Sequence, residues 1–198
     1  MNGAVSITPA SNLLTCVKNC ADNDKCLIFF FNSNSQQCVM HSEHFYFRAP
    51  SMIENGWNYY ITKDVTGRCP ATHFYFRSLD YCYTIEEIAN IDPSQIKMRC
   101  SQKGGQLSVI NSSEKYGYIA QIVEDRPPLL VRVPIQGSKS GNQWILDDGT
   151  PQKYFNWYPG QPDFKNGENC LGLKTDNLMF DVLCNYANTV PGVFVCEI

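Results

Sequence analysis

The chain has 198 residues, 43% hydrophobic and 18% charged, with a formal net charge of -3. That length holds one large domain or two small ones with real cores, and 13% aromatic residues at so small a net charge exclude a disordered polymer. No Lys/Arg run offers nucleic acid an electrostatic footprint, and the longest apolar run, Leu27 to Phe31, is far too short to span a bilayer.

The cysteines say more than the charge. There are ten, an even number and about 5% of the chain, which reads as five disulfides formed in an oxidising compartment. Zinc is the rival use of such a set, but its paired Cys-x2-Cys knuckles are missing. The nearest imitation, Cys38, His41 and His44, is too tightly spaced and lacks a fourth ligand. Secretion is therefore expected, although Met1 to Thr8 carries neither the charged start nor the apolar stretch of a leader. Either the natural start lies upstream or a leader has already been removed.

Cys16, Cys20, Cys26 and Cys38 lie in the first forty residues and the next cysteine is Cys69, so two modules are expected, residues 1–65 and 66–198. In the first, Ser11 is the expected N-cap of a helix carrying Leu13, Cys16, Val17 and Cys20, with Cys16 and Cys20 on one face. Cys26 to Phe31 is a buried strand, Asn32-Ser33-Asn34-Ser35 a polar turn, and Cys38-Val39-Met40 a second strand. Trp57, Tyr59 and Ile61 alternate as a closing strand with one buried face. Nested bridges Cys16–Cys38 and Cys20–Cys26 fit this order. The cysteine spacing and the stretch CLIFFFNSNSQQC resemble the PAN/apple superfamily over residues 1–63, especially its small variety in multidomain secreted invertebrate proteins. The resemblance implies a small disulfide-rich α+β module that binds protein or carbohydrate.

The second module opens at Cys69-Pro70, with short strands at Phe74, Phe76 and Cys82. Asp92 caps an expected helix with Pro93 in its first turn, which runs through Ile96, Arg99 and Cys100 to a stop at Gly104-Gly105. Leu107 to Ile110 is a strand, and Asn111-Ser112-Ser113-Glu114 starts a second helix carrying Tyr118, Ile119, Ile122 and Val123. Short strands and Gly/Pro/Asn-rich loops follow Trp144, and Val193 to Cys196 is the last strand.

The stretches CPATHFYF, RCSQKGGQLSVINSSEKYGYI, QWILDDGTPQKYFNWYPGQPD, GENCLGL and FDVLC together are similar to the long form of the C-type lectin domain, over residues 69–198. The resemblance implies an α+β fold of two helices, antiparallel sheets and a long loop region, with bridges Cys69–Cys82, Cys100–Cys196 and Cys170–Cys184. It also implies sugar held directly by calcium, a hard cation that takes six to eight oxygen ligands. By carry-over of the motifs, the metal ligands are Gln161, Asp163, Glu168 and Asp181, with Pro162 as a cis-proline between the first two. Gln161, Asp163 and Glu168, with Phe164 as the aromatic ring, form the implied carbohydrate contacts, and Gln-Pro-Asp in this family accompanies galactose-type sugars.

Three features depart from the family pattern. Met179-Phe180-Asp181 stands where the family has Trp-Asn-Asp, so Phe180 removes an amide oxygen from the calcium shell. The loop from Asp163 to Cys170 is one residue short, and Leu130 to Pro134 replaces the Trp-Ile-Gly-Leu core segment. The expected function is calcium-dependent, galactose-type binding of a glycan on cell or microbial surfaces, with host defence as an analogy of the family. The alternative is a calcium-independent domain that binds protein or another non-sugar ligand, which Phe180 favours. An oligomeric matrix role is a third reading. No nucleophile triad, phosphate loop or carboxylate pair in a pocket suggests an enzyme.

The other conspicuous residues have plainer expectations. Trp144, Tyr154 and Trp157 are expected in the core, and Asp147-Asp148-Gly149 as a turn. The three histidines are expected as surface or packing residues, and Glu86-Glu87 as a solvated face. Asn111 opens an Asn-Ser-Ser glycosylation sequon whose position suits a helix cap equally well.

Overall fold

A computed structural model of the chain describes residues 4–42, 45–46, 55–64, 66–89, 93–124, 126–127, 132–174, 176–184 and 192–198. His44, Asp92, Leu130 and Val131, named above, lie outside these residues. The fold is α+β and divides into two compact units, residues 1–82 and 83–198.

In the first unit, β1 (Ala4–Pro9), β3 (Gln37–His41), β2 (Ile28–Asn32) and β4 (Trp57–Ile61) form an antiparallel sheet in the order β1-β3-β2-β4. Helix α1 (Leu13–Ala21) packs on β2. Its N-cap is Asn12, one residue later than expected: the Asn12 side chain accepts from the Thr15 N–H at 2.9 Å, whereas the Ser11 hydroxyl meets the Thr15 hydroxyl. Strand β1 has no sequence signal among the expectations; it exists because β3 offers it a free edge, with Thr8 opposite Cys38.

The core of this unit is Ala10, Cys16, Cys20, Cys26, Phe29, Phe31, Cys38 and Met40. Bridges Cys16–Cys38 and Cys20–Cys26 sit inside it, with all four cysteines fully buried, and Cys38 is thereby unavailable to a metal. The face of β4 differs from the expected one. Tyr60, opposite Phe29 in the register, packs on the core with the two rings stacked at 4.9 Å, while Tyr59 is 41% exposed. The parity is set by the partner strand, since Phe29 and Phe31 are the inward pair of β2. His41 is buried and packs edge-on to Phe30 and Phe45, as a packing residue.

Strand β5 (Phe74–Phe76) also lies in the first unit, and β6 (Tyr81–Ile88) carries the chain into the second. The expected fifth bridge is not formed: Cys69 and Cys82 are free thiols in a small buried cluster with Tyr75. Each lies within hydrogen-bonding reach of the other, and burial, then the neighbouring Cys82, push the Cys69 thiol up to about 12. Burial pushes the Cys82 thiol up as well, so both are protonated at neutral pH and poor nucleophiles.

The second unit holds α2 (Pro93–Gln102), β7 (Gln106–Leu107), α3 (Ser113–Glu124), β8 (Val133–Ser140), β9 (Gln143–Ile145), β10 (Cys170–Leu173), β11 (Met179–Val182) and β12 (Gly192–Glu197). Strand β12 runs between β6 and β7, and a second sheet has the order β11-β10-β8-β9. Helix α2 stops at Gly104, whose φ of +79° suits only glycine well, and the Gly105 N–H returns to the Cys100 carbonyl at 3.0 Å. A Cβ at Gly105 would lie 2.2 Å from the Glu197 carbonyl oxygen, so this turn needs glycine where it passes the last strand.

The core around α2 and β12 is Ile88, Ile96, Cys100, Leu107, Phe180, Val182, Phe194 and Cys196. Through it runs the Cys100–Cys196 bridge, which spans 96 residues and fastens α2 to the last strand. Helix α3 is capped by Ser112, whose hydroxyl accepts from the Lys115 N–H at 3.1 Å. Asn111 is exposed and takes no part in the cap. Lys115 of α3 pairs at 2.7 Å with Glu197, which also accepts from the Ser108 hydroxyl and the Val109 N–H. Among the described residues no helix is long and apolar enough to cross a membrane.

Candidate functional site

Strand β11 carries Asp181, and its neighbours bring the remaining residues to it. On one edge β10 pairs with Leu171 opposite Asp181 and Cys170 opposite Val182, which places Glu168, two residues before β10, beside the carboxylate. The Cys170–Cys184 bridge closes this same end of the pair of strands. On the other side Asn156 and Tyr158 bond to the Met179 backbone, each at 2.9 Å, so the chain that follows Tyr158 passes over Asp181. That chain is the loop Gln161-Pro162-Asp163-Phe164, and its Gln161–Pro162 peptide is cis.

The result is a cluster of three carboxylates. Ligand oxygens of Asp163, Glu168 and Asp181 lie within 4.8 Å of one another. Asp181 is 1% exposed, and the loop holds it: the Phe164 N–H donates to Oδ2 at 2.6 Å and the Asp163 N–H to Oδ1 at 3.3 Å. Asp163 is held in turn by Lys165, whose backbone N–H reaches Oδ1 at 3.1 Å and whose ammonium reaches Oδ2 at 2.8 Å. The Gln161 amide N–H donates to the same Oδ2 at 3.3 Å. The Lys165 ammonium and then its N–H hold the Asp163 carboxyl below its usual range. Glu168 has no such donor among the described residues, and burial followed by the charges of Asp181 and Asp163 pushes its carboxyl up.

This donor set fits calcium. Three carboxylates and an amide are all hard oxygen ligands, and a divalent cation would relieve the repulsion that Glu168 feels. The buried Gln161 Oε1 adds a second sign, because it has no hydrogen-bond partner. A buried acceptor left open costs about 1–3 kcal/mol unless a ligand or water meets it. Of the four residues expected to hold the metal, the carboxylates of Asp163, Glu168 and Asp181 meet, and Gln161 reaches them through its amide N–H on Asp163.

Phe180 is not in this cluster. It turns into the α2–β12 core, stacks on Tyr158 at 4.8 Å and lies under the Lys174 ammonium, 3.9 Å from its ring centre. Phe164 stands at the rim, 41% exposed, with a left-handed backbone (φ 53°). The Lys139 ammonium lies 3.3 Å from its ring centre and Trp144 is nearly parallel to it at 6.1 Å. Trp144, Tyr154 and Trp157 are half-buried rather than core residues, because they pack on one another and on nearby rings at the surface of the loop region. Asp147-Asp148-Gly149 is a turn, with Asp148 accepting from the Thr150 N–H and hydroxyl and Asp147 paired to Lys97.

The lysines were missed in the sequence. Lys165, Lys139 and Lys174 come from three separate loops and strands, and only Lys165, two residues beyond Asp163, could have been picked out by spacing.

The model of the lectin C-type domain matches residues 92–198, and that of the PAN domain matches residues 1–64. The chain belongs to the C-type lectin domain family. Solved structures agree. The lectin domain is similar to the carbohydrate-recognition domain of the mouse scavenger receptor C-type lectin, at 28% identity over 66% of this chain and 97% of that one, with a TM-score of 0.53. It is similar to the carbohydrate-recognition domain of cow CD23, at 25% identity over 66% and 95% with a TM-score of 0.53. A calcium-independent type II antifreeze protein matches at 25% identity over 66% and 93% with a TM-score of 0.51. Members of this family are generally non-enzymatic carbohydrate-binding proteins, and the relatives here include both lectins and a calcium-independent protein of other function.

Proposed function

We propose that the lectin domain binds a glycan through a calcium ion held by Gln161, Asp163, Glu168 and Asp181, as part of a secreted protein. The observation that carries this reading is the meeting of three carboxylates within 4.8 Å, one of them bonded by the amide N–H of Gln161, whose buried amide oxygen has no partner. Bound there, calcium would supply a Lewis-acidic centre for a pair of sugar hydroxyls. The protein's part is to hold the ligands: the loop N–H groups fix Asp181, and Asp181 in turn fixes the loop that carries Gln161 and Asp163. The Gln-Pro-Asp order favours galactose-type sugars, with Phe164 at the rim as the apolar contact once Lys139 yields its face. The test is calcium titration by calorimetry on the oxidised protein, followed by retention on immobilised galactose in calcium. Wild type should bind calcium with a dissociation constant of about 10⁻⁴–10⁻³ M. Asp163→Ala should lose both the heat and the retention, and retention unchanged in this variant would overturn the assignment.

A second reading rests on Phe180. With that side chain committed to Tyr158 and the core, the shell lacks the amide its family pattern supplies, and the same loop surface would bind a ligand without calcium. Ligand binding that survives chelation would select this reading over the first.

A further inference from the structure

The cation nearest the carboxylate cluster belongs to the chain itself. Lys165 follows Phe164, and the chain there is wound tightly, with Phe164, Asn166 and Gly167 all at left-handed φ values of 53°, 54° and 79°. That winding brings both donors of Lys165 back onto the Asp163 carboxylate, the N–H on Oδ1 and the ammonium on Oδ2 at 2.8 Å. The Lys165 side chain is 73% exposed, so the ammonium sits at the open side of the cluster on a flexible stem. The two other carboxylates are held differently: Asp181 by backbone N–H groups, and Glu168 by no hydrogen bond among the described residues.

We propose that Lys165 is a tethered competitor for the divalent cation, which occupies Asp163 when calcium is low and must swing away before the site fills. The inference rests on the calcium reading above and adds to it a residue that sets the working concentration of the ion. A site with three carboxylates would otherwise fill at lower calcium. The short stem keeps the displaced ammonium within several ångströms of the ion, and a unit positive charge at that distance in water-like surroundings weakens binding by about tenfold. Because the lysine leaves rather than breaks, its cost is reversible and shrinks as added salt screens it.

The experiment is calorimetric titration of calcium chloride into the full chain, for wild type, Lys165→Gln and Lys165→Arg. Among the described residues the Lys165 side chain pairs only with Asp163 and is mostly solvent-exposed, so both variants should fold, which thermal melting in chelator checks. The expected result is a dissociation constant about tenfold tighter in Lys165→Gln, restored to within about threefold of wild type in Lys165→Arg, with the gap narrowing as potassium chloride is raised. A role of Lys165 in shaping the loop alone would weaken the Gln variant or show no rescue by Arg, and either result overturns the proposal. Equal constants in wild type and Lys165→Gln, with binding still lost in Asp163→Ala, overturn it while leaving the calcium reading intact. No heat from wild type or Lys165→Gln at 20-fold above about 1 mM calcium overturns both.

Discussion

Asp181 and Glu168 show how one cluster divides its labour. Asp181 is 1% exposed and accepts two backbone N–H bonds, so it works for the fold whether or not a cation is present. Glu168 accepts none among the described residues and stands within 4.8 Å of two like charges, so without a cation it works against the fold. Its carboxyl is pushed up by burial and by those charges, which means that the folded chain holds the proton to higher pH than the unfolded chain does. The sign follows: stability in chelator should fall as pH rises from the ordinary carboxylate value through the raised one, and neutralising Glu168 should remove that fall. Glu168→Gln is therefore expected to melt above wild type in chelator at pH 7, while losing calcium binding. A lower melting temperature would show that Glu168 holds the loop rather than burdens it.

At the scale of elements, what was legible in the sequence was what local chemistry controls. The helix α1 follows from the i, i+4 cysteines and the stop after α2 from Gly104-Gly105, whereas Asp163, Glu168 and Asp181, whose carboxylates meet, were named only by the family resemblance. What was not legible depends on partners far along the chain. Strand β1 is a strand because β3 leaves an edge for it, and Tyr60 rather than Tyr59 faces inward because Phe29 does. The same holds for Phe180: its departure from the family's Trp-Asn-Asp pattern is visible in the sequence, but its stacking on Tyr158 is decided by the segment Asn156 to Tyr158 that runs alongside β11. The ion pair of α3 with β12 is another such case. Lys115 and Glu197 have side chains only 13% and 9% exposed, and Glu197 gathers the Ser108 hydroxyl and the Val109 N–H as well. Removing one member of a buried pair leaves a charge and its donors unmatched, at a cost of about 3–5 kcal/mol. Glu197→Ala should lower unfolding free energy by about that amount in urea titration, and a loss below about 1 kcal/mol would mean that the pair is solvated in solution.

For the whole molecule the bridges carry the largest long-range constraint, and they bear on how the protein meets its surroundings. Four are formed, Cys16–Cys38 and Cys20–Cys26 in the first unit, Cys100–Cys196 and Cys170–Cys184 in the second. The longest closes 96 residues and should stabilise the lectin domain by about 4–5 kcal/mol in the chain-entropy model, far more than the loop contacts around the carboxylates supply. The remaining pair, Cys69 and Cys82, is buried as thiols, with Cys69 pushed up to about 12, so neither should react with a thiol reagent at pH 8 while the fold holds. Titration with such a reagent should therefore count no thiols in the native protein and two per chain in denaturant without reductant. None in denaturant would mean that the pair closes in solution as the family pattern implies, and two in native buffer would mean that the Cys69–Cys82 cluster opens to water far more readily than its burial allows.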